Sequence, residues 1–183
     1  MVILTDIKSR LSSSIDPILN FDERYRLASV LVVIYGDEPH VVMTEKPKHM
    51  NFHAGEISFP GGKLDPSDSD LLNTALRETR EEIGLDVDPE QVIGQLKPVI
   101  TLNSGFLILP FVSVLNEIPS LTPNSEVETI LHIPLESFLK TMAVDPDPSH
   151  NIIQEMHIFE YRDQIVWGAS ARILKQIQNL LHS

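Results

Sequence analysis

The segment DLLNTALRETREEIG, Asp70 to Gly84, constrains this chain most. Its spacing predicts a helix. Leu72, Ala75, Leu76, Thr79 and Ile83 recur at helical intervals, and Gly84 is suited to end the run. The same helix carries Glu78, Glu81 and Glu82 near its end. The partial negative charge of a helix C-terminus disfavours each by roughly 0.3–1 kcal/mol. Their spacing puts all three on one face, beside the apolar stripe and near the surface, where like charges repel by a further ~0.2–0.5 kcal/mol per pair. A solvated charged face accounts for an acidic triplet in isolation. A divalent cation also removes the conflict, because Mg²⁺ and Mn²⁺ take carboxylate and carbonyl oxygens, and substrate phosphates usually complete a magnesium site.

The rest of the chain supplies a sheet for that helix. ASVLVVIY (Ala28 to Tyr35) is a β-branched run that reads as a buried strand, with HVVMTEK (His40 to Lys46) as its hairpin partner. PKHMNFHAGEISFPGGK is rich in turn formers and is expected to be mostly loop. QVIGQLKPVIT and FLILPFVSVL read as strands, and EIPSLTPNSE as a loop. VETILHIPLESFLK combines strand and short helix, MHIFEYRDQIVWG is a second hairpin, and SARILKQIQNLLHS is a closing amphipathic helix. Strands outnumber helices without regular alternation, which favours a mixed sheet with covering helices. One domain over residues 1–183 is expected at this length.

The formal charge of −12 argues against a nucleic-acid partner held by a general basic field. The longest apolar runs reach about half of the ~20 residues a membrane span needs, so no membrane partner is expected. MVILTDIKSR lacks the pattern of a signal peptide, and the chain has no cysteine. A cytoplasmic protein is expected, with its oligomeric state open and a homodimer one option.

Before the helix lies FPGGK, Phe59 to Lys63, where Gly61 and Gly62 let backbone approach another group closely. Asp65 to Asp70 lacks the glycine and terminal glutamate of a calcium loop and reads as a turn and N-cap. A glycine turn followed by an acidic helix, with Arg77 beside the first glutamate, resembles the Nudix box, here about residues 62–85. The usual pattern places a glutamate six residues after the glycine and then Arg-Glu, two residues, Glu-Glu, one residue, glycine and an apolar residue. This chain has Gly62, Asp68, then Arg77-Glu78-Thr79-Arg80-Glu81-Glu82-Ile83-Gly84-Leu85. It departs by Asp68 for glutamate, by one extra residue before Arg77, and by Thr79 at an apolar place. The resemblance implies an α/β Nudix fold, with a mixed β-sheet sandwiched between α-helices.

The extra residue before Arg77 resembles the coenzyme A pyrophosphatase branch of that family, and further segments are similar to that branch. They are Val42-Met43-Thr44, His53-Ala54-Gly55-Glu56, Phe59-Pro60-Gly61-Gly62, Thr101 to Leu115, EVETILHIPLESFL and IVWGASARIL. Lys46, Pro47 and Asn51 stand where the branch signature expects arginine, serine or alanine, and arginine. Lysine keeps the charge without the bidentate fork, and asparagine loses it.

The resemblance implies metal-dependent hydrolysis of a diphosphate, with Mg²⁺ or Mn²⁺ as cofactor. Glu78 and Glu82, one turn apart, are the first choice of ligands, and the family resemblance adds the Gly62 carbonyl to them. Glu81 is a third ligand or the base that activates water. Arg77 orients the carboxylates by a salt bridge or only balances charge. Glu126 and Glu128, in the Pro/Ser loop, offer a separate base. Lys46, Lys48 and Lys63 form a local basic excess suited to an anionic nucleotide such as coenzyme A. His53, near the glycine turn, and Ser104, in the shared Thr101–Leu115 segment, are further substrate-binding candidates. The expected products are adenosine 3′,5′-bisphosphate and a 4′-phosphopantetheine compound. Another nucleoside diphosphate derivative, such as an ADP-sugar, a dinucleotide or a nucleoside triphosphate, is the alternative substrate. A non-catalytic nucleotide sensor is the alternative class.

Overall fold

A computed structural model of the chain describes residues 3–18, 24–48, 55–102, 104–147 and 156–182. The longest strands are β1 (Arg26–Tyr35) and β7 (Phe106–Leu115), which run parallel along their whole length, Arg26 opposite Phe106 and Tyr35 opposite Leu115. Both are buried on two faces, which explains their almost unbroken apolar sequence. The hairpin expected after β1 forms: β2 (His40–Glu45) is antiparallel to it, with Tyr35 opposite His40.

Four further short strands are β3 (Ile57–Ser58), β4 (Gly61–Lys63), β5 (Val92–Gln95) and β6 (Val99–Ile100). Together with β8 (Thr129–Pro134) they complete a mixed sheet of order β3-β2-β1-β7-β5. In it β4 pairs with β1, β6 with β7 and β8 with β2. A smaller antiparallel sheet joins β9 (Ala143–Val144), β10 (His157–Tyr161) and β11 (Gln164–Val166).

Alternate residues of β1 supply two cores. Leu31 and Val33 pack with Leu71, Ala75 and Ile83 of α2 (Leu71–Ile83) on one face. Val32 and Ile34 face the other core. It is shared with α1 (Leu4–Leu11), α3 (Leu135–Leu139) and α4 (Gly168–His182). The mixed sheet is thus sandwiched between helices, as expected. The α1 helix was not anticipated; Ile7 and Leu11 tie it to the second core.

Two expectations are corrected. The FPGGK segment is not simply a turn: Gly61, Gly62 and Lys63 form β4, antiparallel to β1, with Ser29 opposite Gly62. The buried stripe of α2 is Leu71, Thr74, Ala75, Thr79, Glu82 and Ile83, while Leu72 and Leu76 are only partly buried. The stripe is rotated because β4 lies against the helix, and glycine strands leave room for polar side chains to turn inward. Among the described residues no helix is long and apolar enough to cross a membrane.

Candidate active site

The caps expected from sequence fix the acidic helix. Asp70 accepts a hydrogen bond from the Asn73 amide at 2.8 Å, and Gly84 adopts the left-handed conformation (φ 71°) that closes α2. The Ser29 hydroxyl of β1 donates to the Leu71 carbonyl at 2.6 Å, pinning the first turn to the sheet. Along the helix, Glu78 comes to lie against Gly62 and Glu82 against Gly61.

Glu82 is buried, at 5% exposure, which corrects its expected place near the surface. Its Oε2 accepts the Gly61 amide hydrogen at 3.1 Å. Burial pushes its carboxyl up to about 7, against the opposing pull of the Gly61 amide and Lys46. The charges of Glu78 and Glu126 add to the rise. A carboxylate placed here without a full cationic partner is electrostatically costly.

Arg77 gathers the other acids. Its Nε and Nη2 donate to the two oxygens of Asp68 at 2.8 and 2.9 Å, a bidentate pair. Its Nη1 donates to Glu78 at 2.9 Å and to Glu81 at 3.1 Å. Arg77 is thus in salt-bridge contact with Asp68, Glu78 and Glu81. Asp68 is in turn held by the Asp65 amide and the Thr74 hydroxyl, at 3.0 and 2.8 Å. Chiefly through the Arg77 bonds its carboxyl is held down at about 2, and the guanidinium is pushed well above its ordinary range, first by Asp68 and also by Glu78.

Asp68 stands in the sequence both in the turn before α2 and at the motif's glutamate position, and no side-chain role was expected of it. Its place at the glutamate position of the motif was the signal for this positioning role. Removing one partner of a nearly buried pair costs about 3–5 kcal/mol. Asp68→Asn is expected to fall near the lower end of that range, because Arg77 retains two glutamates. Turnover should drop with it, since Glu78 and Glu81 lose their fixed cation. Urea unfolding and initial rates check both parts.

The Pro/Ser loop is bound to the end of the helix: the Thr122 and Asn124 amides donate to the Ile83 and Glu82 carbonyls, each at 3.0 Å. Asn124 also accepts the Glu126 amide at 2.8 Å, which brings the exposed Glu126 within electrostatic reach of Glu82. Glu128 is exposed and its amide bonds the Glu45 carbonyl.

A cleft of about 380 Å³ opens from Gly61 and Gly62. Lys46, Lys63 and Ser104 line it, whereas Lys48 is exposed and outside its lining. The Lys63 ammonium lies 5.7 Å from the centre of the Phe106 ring, and the Arg26 guanidinium 4.1 Å from it. Arg26 and Phe106 were not anticipated as neighbours of the site; their parallel register across β1 and β7 is a long-range pairing. The Ser104 hydroxyl is engaged with Thr101 at 2.7 Å. His53 and Asn51 lie outside the described residues.

Among the described residues, no three acidic or imidazole side chains are gathered closely enough to enclose an ion by themselves. Glu78 and Glu82 instead bring hard oxygen donors against Gly62 and Gly61, which line the cleft. That donor set fits a cation retaining water and phosphate ligands rather than one in a closed protein cage.

The fold and site together define a mixed-sheet α/β protein with an acidic helix facing a glycine strand at the end of a cleft. Residues 25–152 match the model of the NUDIX domain. The chain is 33% identical to the Uncharacterized Nudix hydrolase NudL of Yersinia pestis (strain Pestoides F), over 86% of this chain and 80% of that protein. Its fold is similar to that of a MutT/nudix family protein from Enterococcus faecalis, with a TM-score of 0.61 and 14% identity over 91% of this chain and 66% of the other. It is also similar to the NUDIX domain of Shewanella oneidensis NrtR complexed with ADP ribose, with a TM-score of 0.51 and 20% identity over 66% of this chain and 82% of the other. The chain belongs to the Nudix hydrolase family.

Proposed function

We propose that this hydrolase cleaves the diphosphate bond of coenzyme A or a derivative, giving adenosine 3′,5′-bisphosphate and 4′-phosphopantetheine or its acylated form. The observation that carries diphosphate hydrolysis is the placement of Glu78 and Glu82 against Gly62 and Gly61 at the end of a lysine-bearing cleft. Nudix hydrolases generally use divalent metal ions. The choice of coenzyme A rests on the sequence segments shared with that branch, including the extra residue between Asp68 and Arg77. With that residue present, Asp68 still reaches Arg77.

Glu78, Glu82 and the Gly62 carbonyl would hold Mg²⁺ or Mn²⁺. Such a cation, when bound, supplies charge neutralisation on the diphosphate oxygens and activation of water. Arg77 fixes Glu78 and Glu81 in place. Glu81, half exposed at 51%, takes the proton from the attacking water, with Glu126 the alternative base. Lys46 and Lys63 attract the phosphates.

The second reading is cleavage of another nucleoside diphosphate derivative, for which ADP-ribose is the natural probe because the Shewanella relative was crystallised with it. Lys46, Pro47 and Asn51 favour it, since the branch signature's two arginines and its serine or alanine are absent there. Hydrolysis assays with Mg²⁺ over coenzyme A, NADH, ADP-ribose and nucleoside triphosphates decide between them. Release of adenosine 3′,5′-bisphosphate from coenzyme A at the highest kcat/KM is expected. Preferred turnover of ADP-ribose would establish the second reading, and tight binding without turnover of any substrate would establish a sensor.

A further inference from the structure

Away from the carboxylates, the cleft changes character. Ile100 on β6, Leu102 in the loop after it and Trp167 at the start of α4 line this wall while remaining 38, 45 and 41% exposed. Among the polar groups near them, those of Thr101, Ser104 and Arg172 are engaged in holding the wall. The Ser104 hydroxyl donates to the Thr101 hydroxyl oxygen at 2.7 Å, and that oxygen accepts the Phe106 amide at 2.8 Å. Arg172 donates to the Ile100 carbonyl at 2.6 Å. A ribose or base lying here would surrender water hydrogen bonds with little to replace them. A chain of methylenes would lose nothing and cover apolar surface already facing solvent.

We propose that this wall is a binding site for an aliphatic arm attached to the substrate's diphosphate, the acylated end of a pantetheine chain being the occupant consistent with the proposed function. The inference rests on placing the diphosphate at Gly61 and Gly62. The wall is continuous with that end of the cleft and is concave, so an arm leaving the diphosphate in this direction runs along it. A second copy of the chain would have to enter the same cleft to cover it.

Trp167 is the single tryptophan of the chain, so its emission reports occupancy of the wall directly. The experiment titrates the metal-free protein with pantetheine, S-butyryl-pantetheine, S-hexanoyl-pantetheine and AMP, up to millimolar concentration. None of these ligands contains a diphosphate, so the result does not depend on turnover. A blue shift of emission is expected with the acylated ligands, with affinity rising up to roughly three- to fourfold per additional buried methylene. AMP should leave the emission unchanged. Leu102→Ser, at an exposed position that the fold does not need, should flatten the dependence on chain length.

No shift with S-hexanoyl-pantetheine, or an equal shift with AMP, overturns the proposal; the second outcome would assign the wall to the base. If S-hexanoyl-pantetheine binds but coenzyme A is not cleaved in the separate Mg²⁺ assay, the aliphatic site stands and the proposed substrate falls.

Discussion

Glu82→Gln should leave less than about one hundredth of the wild-type turnover, in a protein at least as stable as wild type when metal is removed. The first half follows from the placement of this carboxylate. Charge stabilisation by a bound metal is worth several kcal/mol, and each ~1.4 kcal/mol is tenfold in rate. Glutamine keeps the size and the acceptor for the Gly61 amide but removes the charge. Near-normal rates in saturating Mg²⁺ would remove Glu82 from the metal site.

The second half follows from its titration. Burial raises the carboxyl to about 7 in the folded protein, against ~4.3 for an ordinary glutamate. The folded state therefore binds the proton more tightly than the unfolded chain. The stability contributed by the neutral group is fully present below about pH 4 and is lost as pH rises through about 7. The loss for metal-free wild type is on the order of 3 kcal/mol. Glu82→Gln should lack that loss. Asp68 has the opposite sign: its carboxyl, held at about 2, contributes stability that is lost only as pH falls below about 4. The two effects occupy different windows, so chemical unfolding in chelator between pH 5 and 8 isolates Glu82. Adding Mg²⁺ should then raise the melting temperature of wild type more than that of the variant.

Local chemistry made the acidic helix legible in the sequence. Asp70 and Gly84 cap it, and Arg77 to Leu85 carry the family's pattern almost unbroken. The strands Arg26–Tyr35, His40–Glu45 and Phe106–Leu115 were equally plain, because burial on both faces demands continuous apolar runs. Less legible were features set by distant pairings. Gly61 to Lys63 have no strand-like pattern, and only the ladder to Ala28, Ser29 and Val30 makes them a strand. That ladder also decides which glutamate is buried: Glu82 turns inward because the Gly61 amide is there to receive it. The cleft wall of Ile100, Leu102 and Trp167 draws on segments over sixty residues apart, so no window of sequence contains it. The lysines read as one basic excess are divided by the fold, Lys46 and Lys63 lining the cleft and Lys48 exposed outside its lining.

The two glycines of that strand should respond to alanine in opposite ways. A Cβ at Gly62 would meet the Glu78 carboxyl, with Oε2 at 2.8 Å and the other carboxyl atoms closer. These atoms are the far end of a flexible side chain, so the carboxylate moves and the backbone stays. Glu78 then leaves both its place against Gly62 and the 2.9 Å contact with Arg77. Displacing a catalytic group by about 1 Å can cost on the order of a hundredfold in rate, and Gly62→Ala is expected to lose about that much while shifting stability by no more than about 1 kcal/mol. A Cβ at Gly61 meets the Ser29 carbonyl oxygen, and Val30 Cα at 2.6 Å, at a backbone φ of 155°. Backbone of the central strand β1 cannot yield as a side chain does. Gly61→Ala should therefore cost more than about 4 kcal/mol and fail to give a cooperatively folded protein. Circular dichroism melts and Mg²⁺-dependent rates on the two variants provide the comparison. An inactive but folded Gly62→Ala, beside an unfolded Gly61→Ala, is the expected pair. Full activity in Gly62→Ala would mean that Glu78 does its work from a position other than the one against this strand.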